Sequence, residues 1–477
     1  MNTKSYYSIR HFVALVFFLI LMCYAQIVDF TNYTHDTIDY WTTGDCIVTQ
    51  EGIDIRLFPD TFRGYFIYVL VLIFKTGGGL IGNSFLGWRF LASALTTIVL
   101  VYCFPFLFSD DSFFQGGRIN LFIRYCVLSF VLCFFWGNFI QRPNSDIIAS
   151  YFLVISVSIL KSMINARTII RKMGLGILAG SMAYATYNIR VAYLTPLLIF
   201  ICLYIIAECK RKCKSCIVIF SLLIGGLIMA LPQMMINSQY IEKWTPVVNT
   251  EQLYGEDNDL ESVQLFWGLC TPRYETYDGD LNFYEENGVP FRDPVGQEII
   301  RREGLEDKLT PSELFRLLLK YPGDIIGVYV RHFANIMVPL WRENCITDLY
   351  INKMLNIILS IGIWLLLAVY IMDIIANRKL SRDVYVNCIV VVLLVLPAIF
   401  QAVGGVEIRF FYICYILAYY FVCCKIKYKE LWNALKGKRC TVIITCVIIG
   451  ALWITILGDT LTRNPHRIML IGDYYYE

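Results

Sequence analysis

Residues 440–458 read CTVIITCVIIGALWITILG, nineteen side chains in a row without one Asp, Glu, Lys, Arg or His. A helix needs ~17–25 predominantly apolar residues to cross the hydrocarbon core of a bilayer. Lipid offers the backbone no hydrogen-bond partner, so a segment of this kind crosses as an α-helix. Ten further apolar stretches lie at 11–28, 89–108, 120–138, 147–162, 173–188, 191–208, 216–236, 353–376, 384–403 and 409–424. The expectation is an all-α polytopic membrane protein with about eleven transmembrane helices, interfacial helices and one larger exterior loop domain.

Composition points the same way. Of the 477 residues, 57% are hydrophobic and 17% charged, and the mean hydropathy is +0.58. Soluble domains carry ~25% charged residues. A net charge of +3 is too small for a nucleic-acid binder, so no nucleic-acid partner is expected. Most of the 17 cysteines, among them Cys126, Cys133, Cys202, Cys423 and Cys424, sit inside apolar runs and behave as small hydrophobes. With four histidines and no CxxC pair at zinc spacing, a metal site built on Cys and His is not expected; no cofactor is indicated, and a divalent cation held with Asp146 is the alternative. Cys46, Cys270 and Cys345 fall in expected exterior segments. Lys4 and Arg10 precede the first apolar run, and Gln26-Ile27-Val28-Asp29-Phe30 behind it is a poor cleavage site, so the run reads as a signal anchor.

Lys and Arg in short loops set orientation. Four clusters stand out: Lys161, Arg167, Arg171 and Lys172; Lys210, Arg211, Lys212 and Lys214; Arg378, Lys379 and Arg382; and the run from Lys425 to Arg439. All fall on one side if the eleven spans alternate. That side is expected to be cytoplasmic, with the N-terminus inside, the C-terminus outside and the chain in the cell membrane. Two long segments then face outward. Within 29–88, the stretch Gly64–Phe74 is too short to span and precedes Gly77-Gly78-Gly79, which reads as an interfacial helix. The second, 237–352, is rich in acid, and its end at Tyr321–Trp341 is broken by Asp324, Arg331, His332 and Pro339, as in a membrane-surface helix. This divides the chain into a transmembrane module 1–236, an exterior acidic segment 237–352, and C-terminal helices with a short tail, 353–477.

Just past the first span lies DFTNYTHDTIDYWTTGDC, with Asp36, Asp39, Tyr40 and Asp45. A partly desolvated carboxylate at a membrane boundary can serve as a general base, although loops favour Asp and Thr in any case. The turn Gln141-Arg142-Pro143-Asn144-Ser145-Asp146 falls on the same side, and there Asp146 is either an N-cap or a site residue. Arg190 and Arg409 stand at two other exterior corners. A guanidinium suits phosphate recognition, and the plainer alternatives are snorkelling to headgroups or a local Glu407–Arg409 pair.

At these residues the sequence resembles the GT-C superfamily of membrane glycosyltransferases, which includes protein O-mannosyltransferases and lipid A aminoarabinose transferases. Asp36-Thr37-Ile38-Asp39-Tyr40 is similar to the family's first-loop acidic motif, with Thr where Glu is frequent. Arg63-Gly64-Tyr65-Phe66, Arg89-Phe90-Leu91 opening the next span, the exterior Asp146 and the late Arg409-Phe410 follow in the family's order. The family's large C-terminal soluble domain has no counterpart after the last span, and 237–352 would take its part in acceptor recognition. The resemblance implies an inverting transfer of a sugar from a polyprenyl-phosphate donor to a hydroxyl of a glycan, lipid or protein acceptor. Asp36 or Asp39 would be the base, with Asp146 orienting the acceptor. Arg409, with Arg190 or Arg89, would bind the donor phosphate.

Two competitors remain at this level. A polymerase or ligase of lipid-linked glycans would depend on Arg273, Arg292, Arg301 and Arg302 of the acidic segment. A transporter or flippase would carry ionisable residues near mid-span, and most spans here lack them.

Overall fold

The computed structural model describes residues 3–28, 36–59, 63–108, 118–210, 215–249, 260–270, 273–275, 289–291, 293–306, 308–339, 350–376, 382–404 and 408–462. The described residues are almost wholly helical, and their strand structure is two two-stranded ribbons. Among those residues, nine helices are long and apolar enough to cross a membrane, as expected of a multi-pass membrane protein whose helices are solvated by lipid. Two of the eleven expected spans fall outside that nine. Residues 173–188 lie in a 21-residue helix that carries Arg171 and Lys172 in its first turn and Asn188 in its last, and 191–208 forms a shorter apolar helix, Val191–Ala207.

The chain divides into two compact units, 1–250 with 386–397, and 251–385 with 398–477. In the first unit the helices are α1 (Thr3–Val28), α2 (Asp36–Thr42), α3 (Phe66–Leu80), α4 (Ser84–Leu107), α5 (Arg118–Ile140), α6 (Ser145–Asn165), α7 (Ile169–Ile189), α8 (Leu194–Lys210) and α9 (Ser215–Tyr240). The ribbon β1 (Val48–Thr49) with β2 (Gly52–Ile53) follows α2. Helix α3 covers most of the stretch expected to be too short to span, Gly64–Phe74, and has fifteen residues. It runs on through Gly77-Gly78-Gly79, because helix-to-helix packing against α4 offsets the weak helix propensity of glycine. A second close seam joins α7 to α9: a Cβ on Gly180 would lie 2.0 Å from the Leu222 carbonyl oxygen, and one on Gly225 1.9 Å from that of Ile177. Backbones approach this closely only where both sides are small.

The two ends of this unit have different chemistry. At one end Arg10 donates to the carbonyls of Val101 and Tyr102 at 2.9 and 2.8 Å, in the π turn Ile98–Cys103 of α4. Lys161 donates to Phe106 and Leu107 carbonyls at 2.7 and 2.9 Å, which places a cation on the negative end of α4. The start of α1 and the ends of α4 and α6 therefore share one end. The opposite end holds α2, the start of α4, the turn 141–144 and the end of α7.

In the second unit, α10 (Leu260–Cys270), α11 (Pro294–Glu303), α12 (Pro311–Lys320) and α13 (Pro322–Ile336) bury Phe266, Leu269, Ile299, Ile300, Leu317 and Ile325 together. Thr310 and Glu313 close a capping box at α12. The ribbon β3 (Arg273–Glu275) with β4 (Val289–Phe291) lies between α10 and α11 in sequence. Helices α14 (Tyr350–Ala376), α15 (Arg382–Val403), α16 (Ile408–Lys425), α17 (Tyr428–Ala434) and α18 (Arg439–Thr462) follow. The middle of α15 clusters with the first unit. Helix α13 has fifteen residues, too few to span, as expected for Tyr321–Trp341. Its C-terminal end is gripped by side chains: Trp453 donates to the Ala334 carbonyl at 3.0 Å, Trp364 to Met337 at 2.9 Å, Asn356 to Pro339 at 2.8 Å, and Tyr415 to Ile336. These donors satisfy carbonyls that a helix end leaves open.

Candidate functional site

Asp36 and Asp39 are three residues apart in α2, so they share a side of that short helix. Arg63 Nη2 donates to Asp36 Oδ2 at 2.8 Å. The same guanidinium donates to the Tyr40 hydroxyl and lies over the Tyr40 ring at 5.0 Å. Tyr40 in turn donates to Ser145 Oγ at 2.8 Å. Asp39 accepts from Thr43 Oγ1 at 2.6 Å and from the Tyr68 hydroxyl at 2.8 Å, one on each carboxylate oxygen. Burial, and then the neighbouring Tyr40, push the Tyr68 phenol well above its ordinary range, so it stays a donor. Asp45 pairs with Lys75 at 2.6 Å at the surface.

The turn before α6 corrects the capping role offered for Asp146. Asn144 is the N-cap, and its side chain accepts from the backbone N–H groups of Asp146 and Ile147 at 3.0 and 3.3 Å. Asp146, 1% exposed, instead accepts from Arg190 Nε at 2.6 Å. Arg190 stands at the C-terminal end of α7. The same turn thus touches the first loop through Ser145 and the end of α7 through Asp146. Gln141 Nε2 reaches Ser93 Oγ at 3.4 Å, one helical turn beyond Arg89 on α4. Arg89 and Arg142 are both buried.

A relay of amides fixes this arrangement. The Asn188 carbonyl accepts from Gly64 N–H at 3.1 Å, and its side-chain oxygen accepts from Phe66 N–H at 2.9 Å. A Cβ on Gly64 would lie 2.2 Å from the Asn188 carbonyl oxygen, so only glycine admits the contact. Asn188 donates to Gln233 at 2.9 Å, Gln233 to Asn237 at 3.0 Å, and Asn237 to the carbonyls of Thr245 and Val247 at 2.7 and 2.8 Å. Tyr65 donates to the Met229 carbonyl at 2.7 Å, in the turn before Pro232 of α9. Arg63 therefore stands on a fixed base beside Asp36.

Asp36, Asp39, Asp146, Arg190 and Arg89 of the sequence analysis lie at one end of the first unit. Arg409 belongs to the second unit, in the turn that opens α16, with its guanidinium 5.7 Å from the Phe410 ring. Arg301 and Arg302 both bind Glu298 at 2.8 Å on an exposed face, and these two hold the Glu298 carboxyl down at about 2. Arg292, Cys345, Glu407 and most of the lysine-rich loops near 211–214 and 377–381 lie outside the described residues. The partner role of Arg63 and the Asn188–Gln233–Asn237 relay were not anticipated. The only sequence signal for them was polar residues at the ends of apolar helices.

Chemically, the cluster can do two things. Asp36 keeps about a quarter of its side chain exposed (27%), so an incoming hydroxyl can reach it. Buried guanidinium groups of Arg63, Arg89 and Arg142 bring positive charge to the same end, which suits an anion. Among the described residues no three His, Cys, Asp or Glu side chains are grouped to hold a metal ion. No family model matches the chain, and no curated protein and no solved structure matches it.

Proposed function

We propose that this protein is a GT-C-like glycosyltransferase that moves a sugar from a polyprenyl-phosphate donor to an acceptor hydroxyl at the outer face of the cell membrane. The reading takes α7 and α8 as spans too, giving eleven crossings with the N-terminus cytoplasmic and the C-terminus exterior. One observation carries it: Asp36–Arg63–Tyr40–Ser145 and Asp146–Arg190 meet at the end of the unit opposite Arg10 and Lys161. That opposite end is the one the positive-inside rule assigns to the cytoplasm.

In this mechanism the acceptor oxygen attacks the anomeric carbon from the face away from the lipid phosphate. Its proton passes to the Asp36 carboxylate as the carbon–oxygen bond to phosphate breaks. The bonding pair leaves on the phosphate, and the anomeric centre inverts. Asp39, with both oxygens occupied by Thr43 and Tyr68, positions α2 rather than taking the proton. Arg63 aims the base. Arg89 or Arg190 would steady the leaving phosphate, and preorganised charge of this kind is commonly the largest catalytic contribution. Asp146, tied to Arg190, orients the acceptor.

The test uses the purified chain in nanodiscs with membrane extract as acceptor and a panel of polyprenyl-phosphate hexoses and pentoses labelled in the sugar. The expected result is label transferred to a non-donor product with release of polyprenyl phosphate. Movement of intact donor across vesicles containing the protein, with no bond broken for any member of the panel, would instead support the transporter reading and remove the enzyme.

A further inference from the structure

The second unit contains a groove that the proposed reaction does not use. It has a volume of about 720 Å³, inside the ~300–1,000 Å³ typical of ligand sites. Leu365 and Val369 of α14 form one wall, and Val442 and Val447 of α18 the other. Lys429 and Trp432 of α17 close one end. Apart from that end, the lining is hydrocarbon.

Helix α17 is a built wedge. The Tyr428 hydroxyl donates to the Val422 carbonyl at 2.6 Å, which ties the start of α17 to the last turn of α16. Arg439 donates twice to the Trp432 carbonyl, at 3.1 and 2.9 Å, and its guanidinium lies 4.4 Å over the Trp432 ring. Leu431 packs among Val369, Val422 and Ile426 beneath. The groove therefore stays open because its end is pinned.

Charge identifies what the groove suits. Between Lys425 and Arg439 stand six cations and one acid, Glu430, which Lys427 binds at 3.3 Å. Lys429, Lys436 and Lys438 make no ion pair among the described residues. Asp373, on the last turns of α14, has its own partner. Helices α14 and α18 are long and apolar enough to cross a membrane, so the groove between them suits a hydrocarbon chain. Whatever meets the lysines at the water boundary must be an anion. We propose that the groove between α14, α17 and α18 is a binding site for an anionic diacyl phospholipid, one chain in the groove and the phosphate on Lys429, Lys436 and Lys438. This stands independently of the glycosyltransferase reading.

Trp432 is the reporter. The protein is reconstituted in vesicles of unlabelled phosphatidylcholine with increasing brominated phosphatidylglycerol or, in parallel, brominated phosphatidylcholine. The fluorescence lost in a Trp432→Phe variant isolates its signal. The expected result is half-quenching at a mole fraction on the order of tenfold lower for the anionic lipid. Lys429→Ala with Lys438→Ala should abolish the preference, and Lys429→Arg with Lys438→Arg should keep it. Equal quenching by the two lipids overturns the site, as does a preference that survives the double alanine. Loss of preference in the arginine variant as well would also count against it, because charge would then not be the cause.

Discussion

Asp146 and Asp293 are both buried aspartates at the start of a helix, each paired with an arginine from another helix, yet their surroundings differ. Asp293 is itself the N-cap of α11. It accepts from the N–H groups of Val295 and Gly296 at 2.9 and 3.1 Å and takes Arg331 in a two-pronged pair at 2.5 and 2.8 Å. Asp146 sits two residues inside α6, whose cap is Asn144, and accepts from Arg190 Nε at 2.6 Å. At Asp293 the same carboxylate holds the helix end and the helix pair, so it is a staple. At Asp146 the helix end is held by another residue, and the carboxylate is not needed for that task. Position relative to the cap separates a structural aspartate from one that can be given to function.

The largest expected effect follows from this. Asp293→Ala removes a cap and strands part of a buried pair, at a cost of about 3–5 kcal/mol plus about 1 kcal/mol for the cap. Asp146→Ala should cost less by at least the cap contribution of about 1 kcal/mol, while abolishing transfer. Unfolding of both variants by titrated denaturing detergent measures the difference. Equal costs, or a costlier Asp146→Ala, would break the distinction.

The smallest expected effect concerns the exposed edge of the α10–α13 cluster. Lys320, then Tyr321, hold the Glu303 carboxyl below its ordinary value by hydrogen bonding. A depressed folded value means the contact contributes fully above the unfolded carboxylate range of ~4.3 and is lost as pH falls through the folded value. Because the pair is exposed, the loss should be slight: melting between pH 7 and 3 should fall a little more in the wild type than in Glu303→Gln. A larger acid sensitivity in the variant would contradict the sign.

The membrane spans were legible because an unbroken apolar run has one solution in lipid, as at 440–458. Their exact number was not, because α7 mixes Arg171, Lys172 and Asn188 into an otherwise apolar helix. Asp36, Asp146 and Arg190 could be nominated from order and sidedness, but their partners could not. Arg63 meets Asp36 across 27 positions and Arg190 meets Asp146 across 44, and no periodicity links residues so separated. Helix α3 continues through the glycine run 77–79 because glycine, a poor helix former in water, permits close packing between helices. Asn144 was passed over as the cap because three good capping residues stand in succession at 144–146.

The most direct test separates the two aspartates of α2. Asp36→Asn and Asp39→Asn, each purified and shown to melt like the wild type, are assayed for sugar transfer from a labelled polyprenyl-phosphate donor. Asp36→Asn should lose ~10²–10⁴-fold in rate, the usual share of a general base, with Asp39→Asn within about tenfold of wild type. Near-normal transfer by Asp36→Asn would remove the base, and with it the catalytic site at this end of the first unit.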